Sequence, residues 1–483
     1  MAAQMPVTQG KFSLPMLSAI VVGSMIGGGI FTLPHSFARV TGPVGALVAW
    51  TVAGGGMFAL ARVLQFLAVR KPHLYGGIYA YAKAGFGDYV GFLAVFGYWL
   101  SGCMGGTTYW VLVKATLGGF FPVFGDGGTP AAIAVASVGI WAFHWLILRG
   151  VPRAATINKV TTIAKVMPIV VFIVLVAAAF DVRTFRANLA AGIEGERLSA
   201  QVRATMLVTL YTFLGIEGAS VYSRYARKRS DVGRATLFGL LVVTSLLVLT
   251  TLLPYAVLDR TVLASMRQPS MASVLEAVVG RWGAAFISIA LIVSVMGAYL
   301  AWTMICAEVL FAAAHSGDMP KVFKRENSIH TPTTALWVTN GVVQFMVITT
   351  YWSRDPYYMM LRFTSEMSVV PYLLVALFGL MIVWRGETYG KRPFGRNRDL
   401  VFAACASVFS LILVAAGGIR VILISAIFYT VGTALYIWAR REQKQLVFTP
   451  REWVLFGLTL LAGVYAVHLL ATHGVPIGQI TPR

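Results

Sequence analysis

The sequence predicts an all-α polytopic membrane protein. Hydrophobic residues make up 58% of the 483 and charged residues only 12%, about half the roughly 25% typical of soluble domains. The apolar residues gather into thirteen stretches, centred near Ile26, Gly56, Cys103, Gly139, Val170, Leu214, Leu247, Val295, Gln344, Leu374, Ser407, Tyr429 and Leu461. Each approaches the roughly 20 residues that a helix needs to cross a bilayer. The basic residues are distributed unevenly between the two faces these spans define. With the N-terminus inside, 24 of the 39 Lys and Arg fall in cytoplasmic segments, 11 opposite and four within spans. That asymmetry follows the positive-inside rule.

The same numbers exclude other classes. A water-soluble enzyme needs more polar surface. The net charge of +21 sits between long apolar stretches, where it faces anionic lipid headgroups, so no nucleic acid partner is expected and the lipid bilayer is. Cys103, Cys306 and Cys405 lie in apolar stretches without metal-ligand spacing. Neither a disulfide framework, a metal nor a cofactor is expected. The N-terminal MAAQMPVTQGKFSLP is short and polar, without a cleavable signal.

The first span contains GSMIGGGIF, Gly23 to Phe31. Glycine at this density weakens a helix by about 1 kcal/mol per residue relative to Ala. Taken alone, Gly23 and Gly27 also read as a GxxxG packing face. The sixth span contains FLGIEGAS, Phe213 to Ser220, with glycines around an acid. Glycine-interrupted segments at matching places point to discontinuous helices and to two halves of inverted topology. The halves are residues 13–181 and 203–385, followed by three further helices over 400–472, all in one membrane domain spanning 1–483.

Broken helices expose peptide groups at mid-membrane depth. Freed N–H groups suit a carboxylate and freed carbonyls suit an ammonium group, and an α-amino acid has both. Gly27, Gly28 and Gly29 are therefore candidate carboxylate donors. The carbonyls near Met25 and Leu214 are candidate ammonium acceptors.

Ionisable residues inside spans are functional candidates. Lys165 lies in the fifth span, near enough to its end to snorkel instead. Glu217 lies beside the second break, and Glu308 in the eighth span. Glu366 lies in the tenth, four residues after Arg362, where an i, i+4 pair is the alternative. Tyr98, Trp99, Tyr109, Tyr211, Trp302 and Tyr372 recur at the same places. Their faces suit cationic side chains, although core packing accounts for any one of them equally well. His144 and His468 read as packed histidines. No Walker A, HExxH or GxSxG motif is present, so neither ATP-driven transport nor a membrane hydrolase has a site.

GSMIGGGIFTLP, YTFLGIEGAS, AWTMICAEVLFAAAHSGDMP and VPYLL resemble the amino acid–polyamine–organocation superfamily. The closest branch is the basic amino acid/polyamine antiporters, in particular the arginine/ornithine antiporters. The resemblance covers about residues 11 to 440. It implies a LeuT-like fold, with substrate held between broken helices one and six. It carries the carboxylate site onto Gly27, Gly28 and Gly29, with Gly28 where many relatives have Ser. The ammonium-accepting carbonyls fall on Met25, Tyr211 and Leu214. Tyr211 and Trp302 become substrate-covering aromatics, and Tyr98, Glu217 and Tyr372 an outer gate. Ser101, Gly102, Gly106 and Tyr109 become side-chain contacts, with Gly106 where some relatives carry an amide. Thr364 matches a small hydroxyl residue. Lys165 matches a lysine that stands where sodium-coupled cousins hold a cation.

The expectation is a secondary transporter, not an enzyme, in a cell membrane, here a bacterial inner membrane. It would exchange cationic amino acids by alternating access, arginine in for ornithine out, with lysine a further candidate substrate. Glu366 is the expected counter-ion for the substrate side chain. Proton-coupled uptake, exchange of another basic amino acid for its decarboxylation product, and a non-transporting sensor are the rival readings. The oligomeric state is open, and a homodimer is compatible with the sequence.

Overall fold

A computed structural model describes residues 12–72, 74, 77–150, 154–191, 197–218, 226–389 and 395–473. Ala219 and Ser220 of the second glycine segment and several basic loop residues, Arg153, Arg224, Lys391 and Arg392 among them, lie outside these. The described chain is helical, with two isolated β-bridges. The helices are α1 (Leu14–Met25), α2 (Leu33–Ala38), α3 (Pro43–Arg70), α4 (Ile78–Phe86), α5 (Asp88–Phe120) and α6 (Pro130–Leu148). There follow α7 (Ala154–Ala178), α8 (Val182–Ala191), α9 (Leu198–Phe213), α10 (Arg229–Leu252), α11 (Arg260–Ser265) and α12 (Ser270–Val279). The chain continues through α13 (Arg281–His315), α14 (Thr333–Thr349), α15 (Pro356–Arg385), α16 (Arg396–Glu442) and α17 (Pro450–His473).

Local chemistry sets several boundaries. Pro43, Pro130, Pro356 and Pro450 open helices where a missing N–H costs nothing. Thr129 and Asp355 cap α6 and α15 by accepting from the N–H groups of Ala132 and Tyr358. Gly386 ends α15 in the left-handed conformation.

Nine helices among the described residues are long and apolar enough to cross a membrane, or eleven when two bent pairs are counted. The sixth and ninth expected spans are present as α9 and α14, shorter at 16 and 17 residues. The eleventh and twelfth run together in α16, which Gly418 divides at φ 74° and ψ 165°. The protein is therefore an all-α polytopic membrane protein. Large apolar side chains that a soluble fold would hide, such as Trp453, Leu458, Leu461 and Val464 of α17, stand exposed. In hydrocarbon this costs nothing.

The first span is broken as expected. Ile26 ends α1 at φ −77° and ψ 91°, a 3₁₀ turn over Gly29–Thr32 follows, and α2 continues at 41° to α1. The sixth breaks after Phe213: Leu214 is extended at ψ 135° and Gly215 has φ +102°. The two breaks touch. A Cβ on Gly215 would lie 2.7 Å from the Ser24 carbonyl carbon and oxygen.

Polar contacts tie both ends of the bundle. At the end carrying the start of α1, Lys83 Nζ reaches Asp318 at 2.7 Å and Asp88 at 3.5 Å, and Arg440 reaches Asp88 at 3.1 Å. Tyr79 also donates to Asp318. Burial raises the Asp318 carboxyl above its ordinary value, and the Lys83 ammonium opposes that rise. The same end joins the two broken spans, where the Arg227 N–H donates to the Phe12 carbonyl at 3.0 Å. At the other end, Arg39 of the segment after α2 pairs with Asp355 at 3.0 Å and lies over the Tyr358 ring.

Candidate functional site

A narrow cavity of about 20 Å³ lies between the two breaks. The first break supplies Met25, Gly27, Gly28 and Gly29, and the second Tyr211, Thr212 and Leu214. Helix α5 supplies Ser101, Gly102, Gly105 and Tyr109, α13 supplies Trp302 and α15 supplies Thr364. Among these lining residues no side chain carries a formal charge. The wall is peptide groups, hydroxyls and three aromatic rings.

The glycines permit the packing. A Cβ on Gly27 would lie 2.6 Å from the Tyr109 hydroxyl, and one on Gly29 would lie 2.9 Å from the Tyr211 ring. One on Gly28 would strike Leu112. Gly27 donates its N–H to the Met25 carbonyl at 3.0 Å. An expected donor and an expected acceptor therefore satisfy each other in this conformation. Gly28 and Gly29 stand at the start of the 3₁₀ turn, where N–H groups have no acceptor within their own helix.

The hydroxyls are held. Ser101 donates to the Thr364 carbonyl at 2.8 Å and lies 2.5 Å from the Ser368 hydroxyl. Thr364 donates back to Met360 at 2.7 Å. Trp302 leans on Tyr98 with ring centroids 6.1 Å apart.

Glu217 is buried immediately beyond the second break. Its two carboxylate oxygens accept separate hydrogen bonds, from Tyr98 at 2.8 Å and from Tyr372 at 2.6 Å. This cluster joins α5, the broken sixth span and α15. It lies on the α1 side of the cavity, because Gly218 packs against Ser24 and Ile20 of α1. The three residues expected as an outer gate stand on the side of the cavity that holds the start of α1, because the sixth span enters from the opposite end to the first and residues after its break lie beside residues before the break of α1.

Lys165 is 2% exposed, and its ammonium donates to the Gly23 carbonyl at 3.0 Å, just before the break in α1. The Lys165 side chain thus bridges α7 to the first broken helix.

Two expected contacts are placed elsewhere. Gly106 lies under the Tyr299 ring, 3.2 Å from where its Cβ would be, and Gly105 takes the lining position. Glu366 does not line the cavity. Its Oε1 lies 3.8 Å from the Cβ position of Gly417 in α16 and 3.9 Å from Arg362 Nε. Two residues after Thr364 is about 200° around a helix, so Glu366 points away when Thr364 points in. Sequence reading missed Gly105 and Thr212. Gly105 was signalled by its position one turn after Ser101, and Thr212 only by its adjacency to Tyr211.

The amino acid permease family profile matches residues 12–419. The chain belongs to the amino acid permease family. This permease is 45% identical over 479 residues to the arginine/ornithine antiporter of Pseudomonas aeruginosa, covering 98% of each chain. It is 38% identical to the L-lysine transport protein of Corynebacterium glutamicum, over 98% of this chain and 96% of that one. It is 35% identical to the arginine/agmatine antiporter of Chlamydia pneumoniae, over 95% and 97%. All three comparisons cover at least 95% of this chain.

Proposed function

We propose that this permease exchanges cationic amino acids across a bacterial inner membrane, taking in arginine and releasing ornithine by alternating access. The observation that carries the reading is the meeting of two uncoiled segments at one cavity walled by Trp302, Tyr109 and Tyr211. The backbone of Gly28 and Gly29 takes the substrate carboxylate. The carbonyls of Met25, Tyr211 and Leu214 take its ammonium group. The cationic side chain extends toward Ser101, Gly102, Gly105 and Thr364, held by aromatic faces rather than by a carboxylate.

An uncharged wall suits exchange. Aromatic faces attract a desolvated cation by up to about 2 kcal/mol, whereas an unpaired acid would be costly in the emptied cavity. The gradients of two +1 solutes drive the cycle. Tyr98, Glu217 and Tyr372 close the cytoplasmic side when the N-terminus is inside. Lys165 occupies the place of a coupling cation, which frees the cycle from sodium. In this reading residues 13–181 and 203–385 are the inverted halves, and the protein performs no covalent chemistry.

The test loads proteoliposomes with ornithine, lysine, agmatine, histidine or leucine and follows entry of labelled arginine. Ornithine supports the fastest entry and leucine none. Leucine matching ornithine would remove the case for a cationic substrate.

A further inference from the structure

One arginine stands on the outward face of a membrane span. Leu47, Thr51, Gly55, Phe58, Arg62 and Val69 fall on one side of α3 at helical spacing. Leu47 and Val69, near the two ends of that stripe, are 53% and 57% exposed. Arg62 is partly exposed within it. Among the described residues its one hydrogen bond runs from Nη1 to Gln65 Oε1, at 2.5 Å. A guanidinium has about five N–H donors to place.

The neighbouring helix brings a second arginine and the same kind of face. Arg398 of α16 is exposed, and Val401, Val408 and Leu411 follow it outward at 59%, 57% and 52%. Aromatic contacts join the two stripes. The Phe58 and Phe402 rings meet edge-on at 5.8 Å, and the Arg62 guanidinium lies over Phe402 at 5.2 Å. Arg62 and Arg398 repel each other across this seam, and Asp399 offsets part of the repulsion. Asp399 is already shared. It pairs with Arg70 at 3.3 Å and accepts from Tyr389 at 2.9 Å, while Arg398 lies 3.7 Å away. One carboxylate thus serves three guanidinium groups, which leaves the seam positive.

Depth and side identify what neutralises it. Helix α3 has 28 residues, about 42 Å against a hydrocarbon core of about 30 Å. Arg62 stands about 12 Å before the helix ends, so its Cα lies roughly 6 Å inside the hydrocarbon of a centred span. Its long side chain reaches the headgroup level from there. This is the end to which the basic loops assign the cytoplasm, the leaflet that carries anionic lipid. A soluble anion has no reason to enter beside Val401 and Phe58, whereas acyl chains do. A zwitterionic headgroup brings its own ammonium and leaves the excess charge in place.

We propose that the seam between α3 and α16 is a specific site for an anionic phospholipid of the phosphatidylglycerol class. Its phosphodiester is gripped by Arg62 and Arg398, and its acyl chains run along Gly55, Phe58, Val401 and Val408. Guanidinium suits this task because its planar fork binds two phosphate oxygens at once. The proposal requires only a membrane-embedded chain, so it stands or falls separately from the identity of the substrate.

The test is native mass spectrometry of the full chain, released from detergent after titration with phosphatidylglycerol, phosphatidylcholine of the same chains, or inorganic phosphate. Phosphatidylglycerol stays bound under activation that strips phosphatidylcholine. Arg62→Gln lowers affinity at the tightest phosphatidylglycerol site by at least about tenfold, and Arg398→Gln by less. Arg62→Lys, which keeps the charge but not the fork, falls between Arg62→Gln and the parent. Arg451→Gln, at an exposed basic residue of α17 on the same end, changes nothing. Equal retention of the two lipids, or an equal loss in Arg451→Gln and Arg62→Gln, means general attraction to a basic surface and overturns the proposal. Displacement of the lipid by millimolar phosphate overturns it too, in favour of a soluble anion.

Discussion

Ser24 Oγ donates to the Gly215 carbonyl at 2.8 Å, joining the first broken span to the second across 191 residues of chain. The bond needs Gly215 at φ +102°, where its carbonyl turns toward α1. Gly215→Ala places a methyl 2.7 Å from the Ser24 carbonyl in a conformation that alanine avoids. Exchange by this variant falls at least about tenfold, the equivalent of about 1–2 kcal/mol of backbone strain. Ser24→Ala loses one hydrogen bond, about 1 kcal/mol, and weakens exchange less. Counterflow rates of both variants, normalised to protein in the membrane, check the order. Full activity in Gly215→Ala would mean the breaks need not touch.

The Cβ position of Gly28 is filled by Leu112. Gly28→Ser therefore impairs arginine binding, although it adds a hydroxyl to the cavity wall. Overpacking of this kind costs about 1–3 kcal/mol. The double variant Gly28→Ser with Leu112→Ala recovers at least part of the affinity. Binding isotherms of the three proteins decide it, and a neutral single variant would place Leu112 elsewhere during transport.

Tyr98 and Tyr372 share Glu217, one hydrogen bond to each carboxylate oxygen. Hydrogen bonds to a charged group contribute about 1.5–3 kcal/mol each. Tyr98→Phe and Tyr372→Phe each loosen closure of this side, seen as faster modification of a reporter cysteine placed in the cavity. Because the partners share one acid, the double variant departs from additivity by more than about 0.5 kcal/mol. Additive effects would contradict a single three-residue latch.

Lys165 fixes the Gly23 carbonyl one residue before Ser24. Lys165→Met keeps the bulk and removes the donor, and leaves a carbonyl unsatisfied in a dry interior at a cost of about 1–3 kcal/mol. Exchange drops by at least about tenfold, without any new dependence on sodium. Restored activity on adding sodium would show that a cation can take the place of the ammonium.

Trp302 lines the cavity and touches Tyr98. Trp302→Leu keeps an apolar wall but removes the π face, raising the dissociation constant for arginine up to about thirtyfold for a loss of up to about 2 kcal/mol. Trp302→Phe loses less. Equal affinities for arginine in Trp302→Leu and the parent would move recognition of the cation to Tyr109 or Tyr211.

The breaks were legible because glycine density marks them directly: Gly27 to Gly29 and Gly215 admit backbone geometry and close contacts that larger residues resist. The span positions were legible because hydropathy is a one-dimensional property. What failed was rotational. An acid in a span announces that it matters, but not which neighbour it faces, and Glu366 turns toward Gly417 rather than the cavity. Gly105 and Gly106 differ by about 100° of helix, and nothing in the sequence says which one faces Tyr299. The side on which Tyr98, Glu217 and Tyr372 close follows from the direction of each span, not from the residues. The division at Gly418 was legible as the boundary between the spans centred near Ser407 and Tyr429.

The most direct measurement is arginine entry into proteoliposomes that are empty or loaded with ornithine, with and without an imposed membrane potential. The account predicts rapid entry only into loaded vesicles, at a rate the potential leaves unchanged. Accumulation in empty vesicles, or a rate that follows the potential, would contradict it.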